Sequence, residues 1–333
     1  METYPHRLTR REFVGGAARV TGALAFASAA GPLVAAEDAL LQVPNVELGR
    51  TGAAVSRLGV GCAHFQRPHI TPENVSEVLH RALEIGVNYL DTAPNYVTGD
   101  SHAEEKMGPA IKEIRDKVFL VTKTEEPTYD GTWQLLRESM QRLQTDRLDL
   151  VHLHNFGEQS RFRHLGEVFS DKGALGALRE AKKQGVVRFI GASGHLYPSR
   201  FNDALNTGEI DVLMNAVNFV TQHTYNFEEK IWKRAREENI GLVAMKVLGG
   251  AAGTAGYKVP PDQYENAIRY AMGIPGCHCL VIGVASVQEL EQAARVIARN
   301  ELLADDERAR LAELGLELAM SEGWTNVYGI PLA

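Results

Sequence analysis

Short runs of consecutive apolar residues recur along the chain, and the stretches between them have apolar residues at helical spacing. Short apolar runs flanked by turn residues are typical of buried strands, whereas a period of about 3.6 residues is typical of helices that bury one face. The pattern therefore predicts eight strand–helix units. Their strands are expected near Leu58, Leu90, Leu120, Val151, Phe189, Leu213, Val243 and Val281.

Helix starts and one hairpin are also visible in the sequence. Thr71 followed by Pro72 predicts a capped helix with a proline in its first turn. Two further starts are predicted where a serine precedes a glutamate by three residues, as in a capping box: Ser101–Glu104 and Ser286–Glu289. Residues 46–52 read as a hairpin that leads into the first strand of the repeat.

Eight strand–helix units without a break in composition have the length and rhythm of an α/β fold of the (β/α)8 TIM-barrel type. We predict a single barrel domain over residues 46–333 with an N-terminal β-hairpin. A doubly wound open sheet is the alternative, but the first strand is not followed by the G-x-G-x-x-G pattern of a dinucleotide-binding turn.

The first residues look like a targeting element. Arg10 and Arg11 precede a run rich in glycine, alanine and serine, and Ala35 and Ala36 offer a cleavage point, as in a twin-arginine export signal. We predict a signal peptide over residues 1–36 and a linker over 37–45, with the protein periplasmic or secreted, or cytoplasmic if the signal is not used. Arg19 interrupts the run, which argues against stable membrane insertion. A disordered N-terminus is the alternative.

Composition limits the partners. The chain of 333 residues has a net charge of -7 and is 44% hydrophobic, which is typical of a globular protein and unfavourable for binding nucleic acid or an anionic membrane. A small molecule is the expected partner, and the sequence specifies no oligomeric state. The three cysteines form neither a zinc-type pair nor a disulfide framework, so we expect no metal at them.

Ionisable side chains follow three of the predicted strands. Asp91 and Tyr96 follow one strand, Lys123 closes the next, and His154 closes a third. In a TIM barrel the carboxyl ends of the strands form the active site, so these four side chains are expected to meet. Tyr96 would then act as a general acid towards a carbonyl oxygen, and His154 would orient that oxygen and donate a second hydrogen bond to it.

The two charged groups are expected to assist the phenol. Lys123 favours the phenolate, and we expect the cluster to move the pKa of Tyr96 towards working pH, while Asp91 holds the ammonium in place. Each group has a structural alternative: an ion pair between Asp91 and Lys123, packing for Tyr96, or a core position for His154. Their joint order along the chain favours catalysis. His152 forms an H-x-H pattern with His154 that also suits a metal hydrolase, and we interpret His152 as a buried, hydrogen-bonded barrel residue.

The four positions together resemble the tetrad of the aldo-keto reductase family, and the resemblance extends over residues 46–297. It implies an NAD(P)-dependent oxidoreductase that transfers a hydride between a nicotinamide cofactor, NADP or NAD, and the carbonyl carbon of an aldehyde, ketone or sugar. It also implies cofactor contacts. The carboxamide would be held by Ser193 and Asn215, Met245 stands where the family often has a stacking aromatic with Lys246 beside it, and the phosphates would lie near Gly283 and Ser286.

Two features modify that expectation. Val284 and Glu289 stand where NADP-selective members usually have basic residues, so we predict a relaxed or NAD-leaning preference. Because Met245 replaces the stacking aromatic, some of the family's cofactor contacts are missing. A non-catalytic nucleotide-binding barrel that serves as a sensing or interaction subunit is therefore the second hypothesis. A lyase that uses Lys123 or Lys246 as a Schiff-base amine is the third hypothesis.

Overall fold

The computed structural model describes residues 41–158, 160–250 and 257–331. The predicted signal peptide and residues 37–40 of the predicted linker lie outside these residues. Within them, no helix combines the length and apolar content that a membrane span requires.

The strands form one closed barrel and two small hairpins. In the barrel, each strand pairs in parallel with the next one along the chain, and the last pairs with the first through Ile282 and Val60. All eight predicted strands are present, so the predicted TIM barrel is confirmed. The barrel strands are β3 (Leu58–Gly61), β4 (Tyr89–Asp91), β7 (Phe119–Thr124), β8 (Leu148–Leu153), β9 (Val187–Gly194), β10 (Val212–Ala216), β11 (Gly241–Met245) and β12 (Cys279–Gly283). One hairpin consists of β1 (Asn45–Glu47) and β2 (Ala54–Ser56), and the other of β5 (Val97–Thr98) and β6 (Ser101–His102).

Helices surround the barrel and alternate with its strands. A 3-10 turn, Cys62–Gln66, follows β3, and a π-helical segment, Glu228–Trp232, follows β10. The α-helices are α1 (Pro72–Glu84), α2 (Ala103–Ile114), α3 (Tyr129–Arg142), α4 (Leu165–Val168), α5 (Ala174–Lys183), α6 (Arg200–Asn206), α7 (Lys233–Glu237), α8 (Tyr264–Met272), α9 (Val287–Arg299), α10 (Asp305–Ala319) and α11 (Glu322–Tyr328).

Two of the three predicted helix starts are confirmed. Thr71 caps α1 by accepting from the backbone N–H of Asn74, and Ser286 caps α9 by accepting from that of Glu289. The start predicted at Ser101 is wrong because Ser101 lies in the β5–β6 hairpin and α2 begins at Ala103 without a side-chain cap. The carboxylate of Glu104 turns into the core instead, where it accepts hydrogen bonds from Thr122 (2.8 Å) and Arg142 (2.9 Å).

The N-terminal hairpin closes one end of the barrel. Leu48 and Val55 are fully buried and belong to the same apolar cluster as the side chains inside the barrel. Gly49 has a φ of +49°, and a Cβ there would lie 2.5 Å from the backbone nitrogen of Gly241, so this close approach requires glycine. With this end filled, a ligand enters at the carboxyl ends of the strands.

The alternation of side chains in the barrel strands selects the residues that reach the interior. Phe119, Val121 and Leu150 lie in the interior apolar cluster, whereas their neighbours Leu120 and Val151 pack against the helices. Because side chains two residues apart share a face, Lys123 and His152 also point inwards. The inward-facing rows therefore end in polar groups at the open end of the barrel.

Candidate active site

Lys123 is the centre of the polar cluster at the barrel mouth. Its ammonium lies 2.7 and 2.8 Å from the two carboxylate oxygens of Asp91 and donates to the backbone carbonyl of Thr92 at 2.6 Å. It also lies 3.3 Å from the hydroxyl of Tyr96. The side chains of Lys123 and Asp91 are 1% and 5% exposed, so the pair is withdrawn from solvent.

The turn after β4 brings Tyr96 over the lysine. The backbone N–H of Tyr96 donates to the carbonyl of Ala93 at 3.1 Å, and the chain then enters the β5–β6 hairpin. The Lys123 ammonium lies 5.0 Å from the centre of the Tyr96 ring. The His154 ring meets the tyrosine ring edge-on, with 6.4 Å between the ring centres. The structure therefore brings together all four side chains of the predicted tetrad.

The charges in this cluster are set by burial and by the ion pair. Burial lowers the pKa of Lys123, but Asp91 and Tyr96 outweigh this effect, so the pKa is raised and the ammonium stays charged. Burial raises the pKa of Tyr96, and the Lys123 charge offsets only part of that rise. The predicted shift of the Tyr96 pKa towards working pH is therefore wrong for the free barrel. Its phenol stays neutral and can donate a proton.

His154 follows β8 and is held by a residue that was not predicted to be part of the site. Its Nδ1 lies 2.9 Å from a carboxylate oxygen of Glu125, which is also bonded by Asn95 and Arg161. Burial lowers the pKa of His154 to about 4 although Glu125 opposes the shift, so the imidazole is neutral at pH 7. The sequence did contain a signal for Glu125, because it lies just beyond the end of β7, as Lys123 lies near that end.

His152 lies deeper in the barrel. It is fully buried, as predicted, but neither ring nitrogen has a hydrogen-bond partner among the residues that the structure describes, so the predicted hydrogen bonding is wrong. Burial lowers its pKa well below the usual value, which keeps the ring neutral. In the described parts of the chain, no group of three or more histidine, cysteine or acidic side chains is arranged to hold a metal ion.

Ser193 and Met245 lie at the carboxyl ends of β9 and β11, so they also line the mouth of the barrel. Both face the interior, and the Ser193 hydroxyl is buried without a hydrogen-bond partner among the described residues. Such an orphaned buried hydroxyl is suited to a polar ligand. Lys246 follows Met245 with a left-handed φ of +57°, held by the Asn218 side-chain amide, which donates to its carbonyl at 2.9 Å. Burial lowers the pKa of Lys246, and the Lys123 charge lowers it further.

Asn215 is the one predicted cofactor residue that the structure does not bring to the mouth. It lies between the inward-facing Met214 and the end of β10, and its side chain points to the helix layer. Its carboxamide oxygen accepts from the indole N–H of Trp232 at 2.9 Å. A contact between the carboxamide oxygen of Asn215 and a cofactor would therefore require this buried bond to break.

Gly283 and Ser286 lie where the chain passes from β12 into α9. The ring of His64 packs against Gly283, 3.3 Å from where a Cβ would lie. Burial lowers the pKa of His64 to about 4, so this ring is also neutral. One carboxylate oxygen of Glu289 accepts from the backbone N–H of Ala285 at 2.7 Å. The Glu289 carboxylate thus occupies part of the space in front of the N-terminus of α9.

The chain forms a barrel with a buried cluster of ionisable side chains at its mouth, and comparison with known proteins identifies the family. Residues 57–266 match the model of the aldo/keto reductase family. The chain is 22% identical over 299 residues to L-galactose dehydrogenase of Arabidopsis thaliana (78% of this chain, 90% of the relative). It is 28% identical over 289 residues to D-arabinose 1-dehydrogenase of Saccharomyces cerevisiae (72% and 82%).

A solved structure of similar fold is the aldo/keto reductase from Klebsiella pneumoniae in complex with NADP and acetate. Its TM-score is 0.63, at 20% identity over 87% of this chain and 96% of the other. The chain belongs to the aldo/keto reductase family. It is an NAD(P)-dependent oxidoreductase that acts on small carbonyl compounds or the corresponding alcohols.

Proposed function

We propose that Tyr96 is the general acid that protonates the carbonyl oxygen of an aldehyde, ketone or sugar, and the base in the reverse direction. The observation that carries this proposal is the 3.3 Å contact between the Tyr96 hydroxyl and the Lys123 ammonium. A carbonyl oxygen gains negative charge as its carbon is reduced, and a neutral phenol within hydrogen-bond reach stabilises that charge and then gives up its proton. The phenolate that remains is stabilised by the adjacent ammonium.

In this mechanism Asp91 keeps the lysine charged. An ammonium buried alone would lose its proton, because desolvation disfavours the charged form. The bidentate contact with Asp91 reverses that tendency and also fixes the direction in which the ammonium points. Asp91 therefore acts through Lys123 and has no direct contact with the substrate in this proposal.

The residues around the orphaned hydroxyl of Ser193 would hold the cofactor. When bound, the nicotinamide supplies or accepts the hydride. Ser193 would bond its carboxamide, and Met245 would cover the ring, since a thioether packs well against aromatic surfaces. Lys246, Gly283 and Ser286 would face the phosphate groups, the last two at the start of α9.

We further propose that NAD binds at least as well as NADP. The carboxylate of Glu289 accepts a hydrogen bond from the backbone just before α9. Its negative charge there would repel the additional phosphate that distinguishes NADP from NAD. Arg295 is the basic residue nearest in sequence on that helix, and its guanidinium is paired with Glu291 at 2.9 Å.

The hypothesis of a lyase acting through Lys123 is disfavoured by the contacts of its ammonium. A Schiff base requires a neutral amine, whereas the Asp91 carboxylate and the Thr92 carbonyl surround this nitrogen and favour its charged form. Lys246 has the lowered pKa that such a nucleophile needs. Borohydride reduction in the presence of an aldehyde, followed by mass measurement, tests both lysines, and covalent trapping at either would favour the lyase.

Incubation of the purified protein with NADH or NADPH and a panel of simple aldehydes tests the proposed reaction. Consumption of the reduced cofactor that depends on the aldehyde supports it. Cofactor binding without turnover of any aldehyde would instead favour the sensing or interaction subunit.

We infer from the sequence that residues 1–36 are a twin-arginine signal and that the protein acts outside the cytoplasm. The support is the Arg10–Arg11 pair before a small-residue run and the alanines at 35 and 36. Mass measurement of the N-terminus in periplasmic and cytoplasmic fractions tests this. A processed periplasmic form that disappears in the Arg10→Lys/Arg11→Lys variant is expected, and an unprocessed chain confined to the cytoplasm would contradict it.

A further inference from the structure

The hydroxyl of Tyr270 faces two side chains that can accept a hydrogen bond in the helix layer outside the barrel. Tyr270 lies on α8 and is 2% exposed. Its oxygen lies 3.1 and 2.9 Å from the two carboxyl oxygens of Glu228, the first residue of the π-helical segment. It also lies 3.1 Å from the side-chain oxygen of Gln222. Three acceptor atoms thus surround a hydroxyl that has one proton to donate.

The orientation of the Gln222 amide is fixed by a second contact. Its Nε2 donates to the backbone carbonyl of Phe219 at 2.8 Å. If the amide were turned over, its oxygen would face that carbonyl, and two acceptors would be in contact. The amide oxygen therefore faces Tyr270, where it can only accept a hydrogen bond.

The protonation state of Glu228 decides whether all three side chains can be paired. If the carboxylate is ionised, the Tyr270 hydroxyl donates either to Glu228 or to Gln222, and the other acceptor has no donor. If the carboxyl is protonated, it donates to the Tyr270 oxygen, and the hydroxyl in turn donates to Gln222. Only the protonated form gives each of the three a partner, and a polar group left unpaired away from water destabilises the fold.

The surroundings of Glu228 also favour the protonated form. Burial is the largest effect and raises the pKa of Glu228 to about 7, and the charge of Glu229 adds to this rise. The Tyr270 hydroxyl and the charge of Arg308 on α10 act in the opposite direction but do not cancel it. The Arg308 guanidinium lies 5.1 Å from the centre of the Tyr270 ring.

The other ionisable groups close to Glu228 keep one charge state around neutral pH. Burial raises the pKa of Cys277, which precedes β12, to about 12. Burial and the Glu228 charge raise the pKa of Tyr270. Burial lowers the pKa of His223, beside Gln222, although its contact with the carbonyl of Ala312 opposes this shift. Glu228 is therefore the one of these four groups whose charge changes near pH 7.

We propose that Glu228 is a pH-sensitive switch: the folded protein holds a proton on this carboxyl, and loss of that proton weakens the contact between the π-helical segment and α8. The same segment contains Trp232, whose indole N–H is bonded to Asn215 in the barrel wall. The switch therefore acts on an element that is joined to the barrel. None of its side chains belongs to the tetrad, so the inference concerns stability and is independent of the proposed reaction.

The sign of the pH dependence follows from the raised pKa. A glutamate in the unfolded chain titrates near its usual value of 4.5, whereas Glu228 in the folded protein titrates at about 7. Between these two values the folded state holds a proton that the unfolded chain has released. The stability that this group contributes is thus fully present below about pH 4.5, falls as the pH rises towards 7, and is lost above that.

Urea unfolding of the wild type, Glu228→Gln and Glu237→Gln between about pH 5 and pH 8.5 tests the switch. A glutamine at position 228 keeps the shape and offers Tyr270 a donor at every pH. The urea midpoint of Glu228→Gln relative to the wild type should therefore rise by about 0.3 M or more from pH 5 to pH 8. Glu237→Gln removes the same charge from an exposed position at the end of α7, and its difference from the wild type should change much less with pH.

A difference between Glu228→Gln and the wild type that is the same at pH 5 and pH 8 would overturn the inference. An equal rise in Glu237→Gln would overturn it too, because loss of any nearby charge would then suffice.

A second measurement needs only the folded wild type and does not depend on the stability of Glu228→Gln. Carbon chemical shifts of the glutamate carboxyl groups report the pH at which each one titrates. One carboxyl signal with a midpoint near pH 7 is expected, assigned to Glu228 by its displacement in Tyr270→Phe. Titration of every glutamate below about pH 5.5 would show that Glu228 is ionised in the folded protein and would overturn the inference.

Discussion

The ammonium of Lys123 contacts both carboxylate oxygens of Asp91, at 2.7 and 2.8 Å, in a part of the barrel where neither side chain is more than 5% exposed. Two charges buried this deeply are costly to desolvate, and each depends on the other to remain ionised. The pair is thus both a structural element of the barrel and the source of the positive charge beside Tyr96.

Removing one partner of this pair should be far more harmful than removing both. Asp91→Asn leaves the ammonium without its counter-charge, and Lys123→Met leaves the carboxylate alone, so we expect each to lower the free energy of unfolding by about 3 to 5 kcal/mol. The double variant contains no buried unpaired charge and should lose less free energy of unfolding than either single variant. Urea unfolding of the four proteins measures this, and strictly additive losses would mean that the two side chains are not coupled.

The direction of the Tyr96 pKa shift predicts the pH dependence of carbonyl reduction. The phenol acts as an acid only while it is protonated, and burial raises its pKa, so its proton is retained throughout the neutral range. The neutral His154 adds no ionisation above pH 6, because its pKa is lowered to about 4. We expect kcat for reduction to be flat between about pH 6 and pH 9. A decline centred near neutral pH would instead indicate a lowered phenol pKa.

Asn215 should affect stability more than cofactor binding. Asn215→Ala removes the acceptor of the buried Trp232 indole N–H, which should cost about 1 to 3 kcal/mol in the free energy of unfolding. Because the side chain points away from the mouth, we expect the dissociation constants of NADH and NADPH to change little. Trp232→Phe breaks the same bond from the other side and should reproduce the stability loss. A large loss of cofactor affinity in Asn215→Ala without a loss of stability would restore the nicotinamide contact predicted from the sequence.

The carboxylate of Glu289 should set the choice between the two cofactors. Fluorescence-quenching titrations are expected to show NADH bound at least as tightly as NADPH, and Glu289→Arg should shift the ratio towards NADPH by exchanging repulsion for attraction at this helix start. Glu317→Arg changes the same charge at an exposed position of α10 and serves as the charge-matched control. If wild-type NADPH affinity exceeded that of NADH by more than about tenfold, the assigned role of Glu289 would be wrong.

The parts of the molecule that the sequence predicts well are those determined by local pattern. Each barrel strand contains a short run of mainly apolar residues, and the cap at Thr71 depends only on residues next to it. The position of a polar group at a strand end follows from the same pattern, because parallel strands bring those ends together. This was sufficient to predict that Lys123 and Tyr96 meet.

The parts that were missed or mistaken depend on partners distant in the chain. Asn215 was expected at the mouth, but the indole of Trp232 holds it on the other face. Glu125 was not recognised because its importance arises from its contact with His154 on the neighbouring strand. The pKa of Tyr96 depends on how deeply the phenol is buried, which only the assembled barrel determines.

The turnover of Tyr96→Phe compared with that of Tyr89→Phe tests the central claim most directly. Both variants lose one phenolic hydroxyl, but the Tyr89 hydroxyl is buried inside the barrel without a partner in the described parts of the chain, so its loss should leave activity intact and should not reduce stability. We predict that Tyr96→Phe lowers kcat for aldehyde reduction by about two to four orders of magnitude while the fold and cofactor binding persist. Wild-type turnover in a folded Tyr96→Phe protein would contradict the account.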